Sequence, residues 1–163
     1  AYFLLKPIRH MASDPAYLGY ALMLTGALLL AALRKRESIE SKKWQHVLSI
    51  GVMQTMALIP GISRSGSTIA AARFCGWNWR ESAKFSFLLA IPTILGGEAL
   101  EFLTASSASS VSCSGYVAGF LASFGLGLLG VQFIFWIYER GRVAPFAWYC
   151  FSIGLFAWIA LHG

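Results

Sequence analysis

Four long apolar stretches constrain this chain more than any other feature of its sequence. They cover about residues 16–33, 83–103, 115–138 and 144–161, and each approaches the roughly 20 residues that a helix needs to cross the hydrocarbon core. Lipid offers the backbone no hydrogen-bond partners, so segments that span a membrane in this way must be helical. The sequence therefore predicts an all-α integral membrane protein with about four transmembrane helices.

Charge is scarce, which supports the same class. Charged residues make up 12% of the chain and hydrophobic residues 57%, whereas a soluble domain carries roughly 25% charged residues. We expect one membrane domain over residues 1–163, and because the sequence begins at Ala1 in mid-pattern we expect a C-terminal fragment. The net charge of +6 suits cytoplasmic loops and anionic headgroups. It predicts the bilayer as a partner and does not indicate nucleic acid.

The segment from about residue 44 to 76 is predicted to enter the membrane and return to the same side. Its two helical arms, residues 45–59 and 68–75, are 15 and 8 residues long, fewer than the roughly 20 of a spanning helix. Loop charge supports a hairpin, because positive residues concentrate on the cytoplasmic side. A hairpin divides the loop Lys and Arg residues nine to two, whereas a single crossing divides them five to six. The nine are Arg34, Lys35, Arg36, Lys42, Lys43, Arg80, Lys84, Arg140 and Arg142, and the two are Lys6 and Arg9.

The tip of this hairpin, residues 60–67 of the stretch PGISRSGST at 60–68, is predicted to line a site. Irregular backbone at membrane depth is tolerated where it is buried in protein or lines a polar cavity. A helix starting near residues 65–67 would present unpaired N–H groups to an anion, and Arg64 would add a fork suited to phosphate. Gly61 and Gly66 would let backbone approach a ligand. The hydroxyls of Ser63, Ser65, Ser67 and Thr68 would donate to phosphoryl oxygens, one of them serving instead as the helix N-cap.

Other polar residues leave their roles open. Gln54 lies six residues before Pro60, where it could face the same cavity or hydrogen-bond a neighbouring helix. Glu98 and Glu101 share a helix face and fit a solvated interfacial pair better than a cation site. No histidine follows Arg64 closely, although a phosphatase with a histidine nucleophile needs one near the phosphate.

Two stretches, QTMALIPGISRSGSTIAAARFCG at 54–76 and ESAKFSFLLAIPTILG at 81–96, closely resemble the C-terminal half of the bacterial undecaprenyl-diphosphate phosphatase family, the bacitracin-resistance proteins. The resemblance runs over most of the chain and includes PFAWY at 145–149. The family pattern Pro-Gly-x-Ser-Arg-Ser-x-x-Thr is matched at every specified position. The matching residues are Pro60, Gly61, Ser63, Arg64, Ser65 and Thr68.

This resemblance implies an enzyme of the bacterial inner membrane that removes one phosphate from undecaprenyl diphosphate and so recycles the carrier lipid for cell-wall synthesis. It implies half of an inverted-repeat bundle, whose two re-entrant tips meet near mid-membrane. The implied catalytic residues are Arg64, which grips the diphosphate, and Ser63 and Thr68, which hydrogen-bond its oxygens. Gln54 takes the place of an acidic residue of the first half. Together with the chemistry of the tip, this predicts five substrate-binding residues: Gly61, Ser65, Gly66, Ser67 and Gln54.

The resemblance also implies a divalent cation, Mg²⁺ or Ca²⁺, whose ligands would lie in the other half together with a catalytic Glu-rich motif and His. This chain alone is therefore expected to be inactive, and a homodimer is left open. Two other functions fit the residues. A re-entrant polar tip is also how inverted-repeat transporters build substrate sites, so the chain could carry a lipid phosphate or a small anion. Alternatively, a structural membrane subunit could use Arg64 to bind an anionic lipid.

Overall fold

The computed structural model describes residues 15–38, 43–104 and 113–162, and these parts are helical without a strand. The predicted all-α class is confirmed for these residues. The helices are α1 (Pro15–Leu33), α2 (Trp44–Met56), α3 (Arg64–Phe74), α4 (Trp79–Thr104), α5 (Cys113–Glu139) and α6 (Ala144–His162).

Each of the four predicted apolar stretches is a helix, but only two are long and apolar enough to cross a membrane by length and composition. These are Trp79–Leu103 and Ser114–Glu139. The apolar parts of α1 and α6, Tyr17–Leu33 and Ala144–Ala160, are shorter. The number of spans stays a prediction.

Helix α4 begins at Trp79, four residues before the predicted stretch at 83–103. Asn78 explains the difference, because its side-chain Oδ1 accepts a hydrogen bond of 2.8 Å from the Glu81 N–H and so caps the first turn. The polar residues ahead of the apolar stretch therefore join the helix. Pro92 lies inside α4 without ending it.

Helices α1 and α6 pack against each other at very short range through glycines. A Cβ added to Gly154 would lie 2.7 Å from the Gly19 carbonyl oxygen, and one added to Gly26 would lie 2.8 Å from the Phe151 backbone nitrogen. Real side chains do not tolerate such distances, so these positions require glycine. Close backbone approach through small residues is typical of helices packed in membranes.

Helix α3 is the buried arm of the hairpin that it forms with α2: it packs against α1, α2 and α4 and is buried from Gly66 to Arg73. Ile50 of α2 packs against Ala71 and Ala72 of α3 and against Trp77. On its other side, Ile69 of α3 joins a core that includes Leu29, Ala83, Tyr138, Val143 and Ala147. The segment between the two helices, residues 57–63, is thus held by packing on both arms.

Helix α5 contrasts with this buried hairpin, because every described side chain from Ser114 to Phe133 is exposed. The exposed side chains include large apolar ones such as Phe120, Phe124 and Leu129. A contiguous apolar surface of this kind marks a face that contacts lipid or another protein segment.

Candidate phosphate-binding site

Helix α3 begins at Arg64, just before the predicted start at residues 65–67, because Ser63 is its N-cap. The Ser63 hydroxyl accepts a hydrogen bond of 3.2 Å from the Gly66 N–H. Its backbone carbonyl accepts a bond of 2.9 Å from the Ser67 N–H. Ser63 is thus the hydroxyl that the sequence assigned to capping without naming it. The Ser65 side chain is exposed on the first turn, 3.5 Å from the Ser63 hydroxyl.

The hydroxyls of Ser67 and Thr68 lie on the protein side of α3. Both residues are buried, with 0% and 1% of their surface exposed. Ser67 donates to the Ser63 carbonyl at 2.8 Å, and Thr68 donates to the Arg64 carbonyl at 2.9 Å and contacts the Ser86 hydroxyl at 2.6 Å. The structure therefore satisfies both hydroxyls internally, and their contact with a substrate stays a prediction.

The two glycines of the tip let it pack against α1. Gly61 has a φ of +91°, and a Cβ there would lie 2.7 Å from the Ala21 Cβ. A Cβ on Gly66 would lie 2.9 Å from the Thr25 Cγ2. In both cases the close neighbour is the protein itself, which gives each glycine a structural reason beside the predicted approach of a ligand.

Thr25 of α1 is a site-supporting residue that the sequence reasoning missed. It is fully buried, and its hydroxyl oxygen accepts a hydrogen bond of 3.1 Å from the Ser63 N–H while donating to the Ala21 carbonyl at 3.0 Å. The bond satisfies a backbone donor of the irregular tip. Its signal is present in the sequence, because Thr25 is the only hydroxyl-bearing aliphatic residue in an otherwise apolar stretch at 16–33.

Arg64 is half-buried and lines a cavity of about 210 Å³. The cavity lies between α2, the tip and α4, and its polar side chains are Arg64, Gln54, Thr55 and Thr93. Among the residues that the structure describes, none forms a hydrogen bond or an ion pair with the Arg64 guanidinium. A permanent positive charge at a helix N-terminus, without a protein partner in that set, is an arrangement suited to an anion.

The sequence left two roles open for Gln54, facing the cavity or hydrogen-bonding a neighbouring helix. The structure shows both, because Gln54 lines this same cavity and bonds to α4. Its side-chain Nε2 donates to the Thr93 hydroxyl of α4 at 3.0 Å. Its Oε1 is buried and has no hydrogen-bond partner in the described part of the chain. The structure thus brings Gln54 and Arg64 together at one cavity.

A second, more apolar cavity of about 240 Å³ lies on the other side of the first turn of α3. Ser65 and Gly66 form its polar end, and Phe133, Ile137 and Phe146 of α5 and α6 are among its apolar walls. The first turn of α3 therefore separates a polar cavity from an apolar one.

Arg73 is a buried charge that the loop-charge count left out. Only 3% of its surface is exposed, and its guanidinium donates to the backbone carbonyls of Trp77 and Lys35. It also lies 3.4 Å from the Glu37 carboxylate and 4.6 Å from the centre of a Trp79 ring. Arg73 thus ties the base of the hairpin to the loop after α1.

The remaining candidate site residues do not line the cavity that contains Arg64 and Gln54. Glu98 and Glu101 are exposed near the end of α4, and His46 accepts a hydrogen bond of 3.3 Å from the Trp77 indole N–H at the base of α2. Within the described ranges, no three His, Cys, Asp or Glu side chains come together in a way that could hold a metal ion.

Comparison with known proteins places this sequence in a family. The model of the family described as "Bacitracin resistance protein BacA" matches residues 1–156. An undecaprenyl-diphosphatase of Protochlamydia amoebophila is 39% identical over 158 residues, which are 93% of this chain and 62% of that protein. One of Desulfatibacillum aliphaticivorans is 37% identical over 145 residues, covering 87% and 52%. One of Methanothermobacter thermautotrophicus is 33% identical over 143 residues, covering 84% and 79%.

The chain spans 62% and 52% of the first two of these relatives. The match includes the tip and both of its arms, since they lie within residues 1–156. On this evidence the chain belongs to the BacA family of bacitracin resistance proteins.

Proposed function

We propose that the whole protein hydrolyses undecaprenyl diphosphate to undecaprenyl phosphate and inorganic phosphate, and that this chain supplies the phosphate-binding part of the active site. The observation that carries the proposal is the Arg64 guanidinium, which faces a cavity without a hydrogen-bond partner among the described residues. The relatives named undecaprenyl-diphosphatase supply the substrate.

In the proposed reaction, the oxygen of a water molecule bonds to the terminal phosphorus. The bridging P–O bond breaks, undecaprenyl phosphate leaves with the electron pair, and the proton lost by water ends on phosphate or in solvent. Arg64 and the free N–H groups at the start of α3 stabilise the charge on the transferred phosphoryl group. Ser63 and Thr68 are proposed to hydrogen-bond its oxygens. The Ser63 hydroxyl accepts from the Gly66 N–H and still has its own hydrogen to donate, whereas the Thr68 hydroxyl would have to leave its bond to the Arg64 carbonyl.

The proposed substrate is a membrane lipid, and two features of the protein suit its long apolar prenyl tail. The exposed apolar surface of α5 and the apolar cavity that begins at Ser65 and Gly66 can both accept isoprene units. We therefore propose a multi-pass protein of the plasma membrane with about four spans and one re-entrant hairpin, forming half of an inverted-repeat bundle. Recycling of the carrier lipid would serve cell-wall synthesis and confer bacitracin resistance.

A divalent cation, Mg²⁺ or Ca²⁺, is part of the proposal, but the described residues do not fit one. The polar cavity offers neutral oxygens beside the positive charge of Arg64, which repels a cation, and the described residues hold no cluster of acidic or imidazole ligands. We assign the cation no ligand in this chain and no step in the reaction. The names of the relatives favour hydrolysis over the transporter alternative.

The test is phosphate release by the purified whole protein in detergent. We expect Arg64→Ala to lower kcat/KM for undecaprenyl diphosphate by about 100- to 1,000-fold, the usual cost of removing a group that stabilises transition-state charge. Arg142→Ala is the matched control, because Arg142 is exposed in the turn between α5 and α6, away from the tip cavity. Unchanged activity of Arg64→Ala, or an equal loss in Arg142→Ala, would contradict the proposal.

A further inference from the structure

The Thr93 hydroxyl determines which end of the Gln54 amide faces α4. A hydroxyl has one hydrogen to donate, and Thr93 donates it to the Leu89 carbonyl at 2.9 Å. Its oxygen can therefore only accept from Gln54. The amide nitrogen must be the end that faces it, and this is the observed contact of 3.0 Å from Nε2 to Oγ1.

This orientation leaves the Gln54 carbonyl oxygen without a donor. Oε1 is buried and has no hydrogen-bond partner among residues 15–38, 43–104 and 113–162. Buried acceptors in native proteins are rarely left unsatisfied, and one that is left so needs an explanation. Gln54 and Arg64 line the same cavity, although Oε1 itself is closed off in the structure, so a donor in the cavity reaches it after a small shift of the surrounding side chains. The explanation sought is such a donor, beside the anion that Arg64 is proposed to hold.

The chemistry of the cavity restricts that donor. An ionised phosphate oxygen carries no hydrogen and would be repelled by a carbonyl oxygen, so the substrate diphosphate itself does not satisfy Oε1. A metal ion is disfavoured by the positive charge of Arg64 in the same cavity. The proposed hydrolysis does require one small donor beside the phosphate, which is water.

Building on the proposed function, we propose that Thr93 is a positioning residue that holds Gln54 with its carbonyl oxygen towards the attacking water. Gln54 accepts a hydrogen bond from one O–H of that water and does not take its proton. The water oxygen forms the new bond to the terminal phosphorus, the bridging P–O bond breaks, and the second proton of the water passes to phosphate or solvent. The overall reaction is undecaprenyl diphosphate plus water giving undecaprenyl phosphate plus phosphate.

The experiment compares kcat and KM of four variants of the purified whole protein with undecaprenyl diphosphate. Thr93→Val is nearly isosteric and removes the hydroxyl, so the amide is no longer held. We expect kcat to fall about 10- to 100-fold, the scale of losing a positioned reactant, while KM stays within about twofold. Thr93→Ser keeps a hydroxyl and should restore most of kcat. Gln54→Leu should lose as much kcat as Thr93→Val.

The double variant distinguishes positioning from a structural role. If Thr93 acts through Gln54, then Thr93→Val added to Gln54→Leu lowers kcat no further. Independent, multiplying losses would overturn the proposal, as would a folded Gln54→Leu or Thr93→Val variant with the kcat of the unmodified protein. Thermal unfolding in detergent identifies folded variants, and Gln54→Leu decides the matter should Thr93→Val fail to fold. Absence of phosphate release by the unmodified protein would instead refute the proposed function itself.

Discussion

Two arginines on the same short helix have opposite surroundings. Arg73, in the last turn of α3, is bonded to backbone carbonyls and to Glu37 and lies against Trp79. Arg64, in the first turn, faces a cavity and finds no hydrogen-bond partner among the described residues. A charge in a membrane segment is costly and needs a partner. The protein supplies that partner for Arg73, whereas for Arg64 we expect the ligand to supply it.

Arg64→Lys tests whether the ligand is gripped by two parallel hydrogen bonds. Lysine keeps the charge but offers a single point of contact in place of the planar fork. We expect a loss of kcat/KM within about tenfold of that caused by Arg64→Ala, measured as phosphate release in the same detergent. Arg142→Lys, at an exposed position, should leave activity unchanged. A lysine variant close to the unmodified protein would show that charge alone suffices.

Residue types and spacing predicted the members of the tip but not the direction in which each side chain points. The sequence identified Arg64 and Gln54, and the structure places both at one cavity. It did not distinguish Ser63 as the cap or show that Ser67 and Thr68 bond inward, because that depends on where α3 begins. Thr93 was not singled out, since its contact with Gln54 joins residues 39 positions apart.

At the scale of elements, the hydrophobic pattern predicted the helices well because exposed and core-facing helices here are both apolar. The ends were less predictable. The start of α4 depends on the Asn78 cap, and the break between α2 and α3 depends on the positive φ of Gly61. The loop-charge argument favoured a hairpin, and α2 and α3 do form adjacent helices of 13 and 11 residues. That they enter and leave a membrane on one side stays a prediction.

The close contact of α1 with α6 predicts that an added side-chain atom between them lowers the thermal stability of the protein. Gly154→Ala places a Cβ within 2.8 Å of backbone atoms of Gly19 and Met23, and overpacking of this kind costs about 1–3 kcal/mol. We expect a lower midpoint of thermal unfolding in detergent. Gly125→Ala is the matched control, because α5 has nothing within 4 Å of that position. Equal midpoints for the two variants would mean that α1 and α6 are not in contact as described.

At the scale of the whole molecule, we propose that the site described is the part of an active site that binds phosphate. The chain covers 62% of one relative and 52% of another. Its described residues provide the positive charge of Arg64, the N–H groups at the start of α3 and the oriented amide of Gln54. They contain no cluster of His, Cys, Asp or Glu that could hold a metal ion. The sequence could predict this imbalance because the motif contains an arginine and hydroxyls without acidic neighbours. It could not predict that α5 exposes its side chains from Ser114 to Phe133.

We therefore expect residues 1–163, purified alone in detergent, to release no phosphate from a prenyl diphosphate above the rate of an Arg64→Ala variant of the same chain. The physical reason is that the residues lining the cavity of Arg64 stabilise negative charge but include no group able to take a proton from water. The measurement is a phosphate assay on both chains with the whole protein as positive control. Hydrolysis by the isolated chain that depends on Arg64 would show that it holds a complete site.

The bond from the Ser63 N–H to Thr25 has a mechanical consequence. It joins the tip to α1, and Gly61 and Gly66 let the tip pack closely against α1. The backbone of α1 in turn packs directly against the backbone of α6. We therefore expect the tip to move only together with the pair of helices α1 and α6. A lipid headgroup would have to approach a tip that stays in place. Any opening and closing of the site during turnover would have to come from the helices that face the tip.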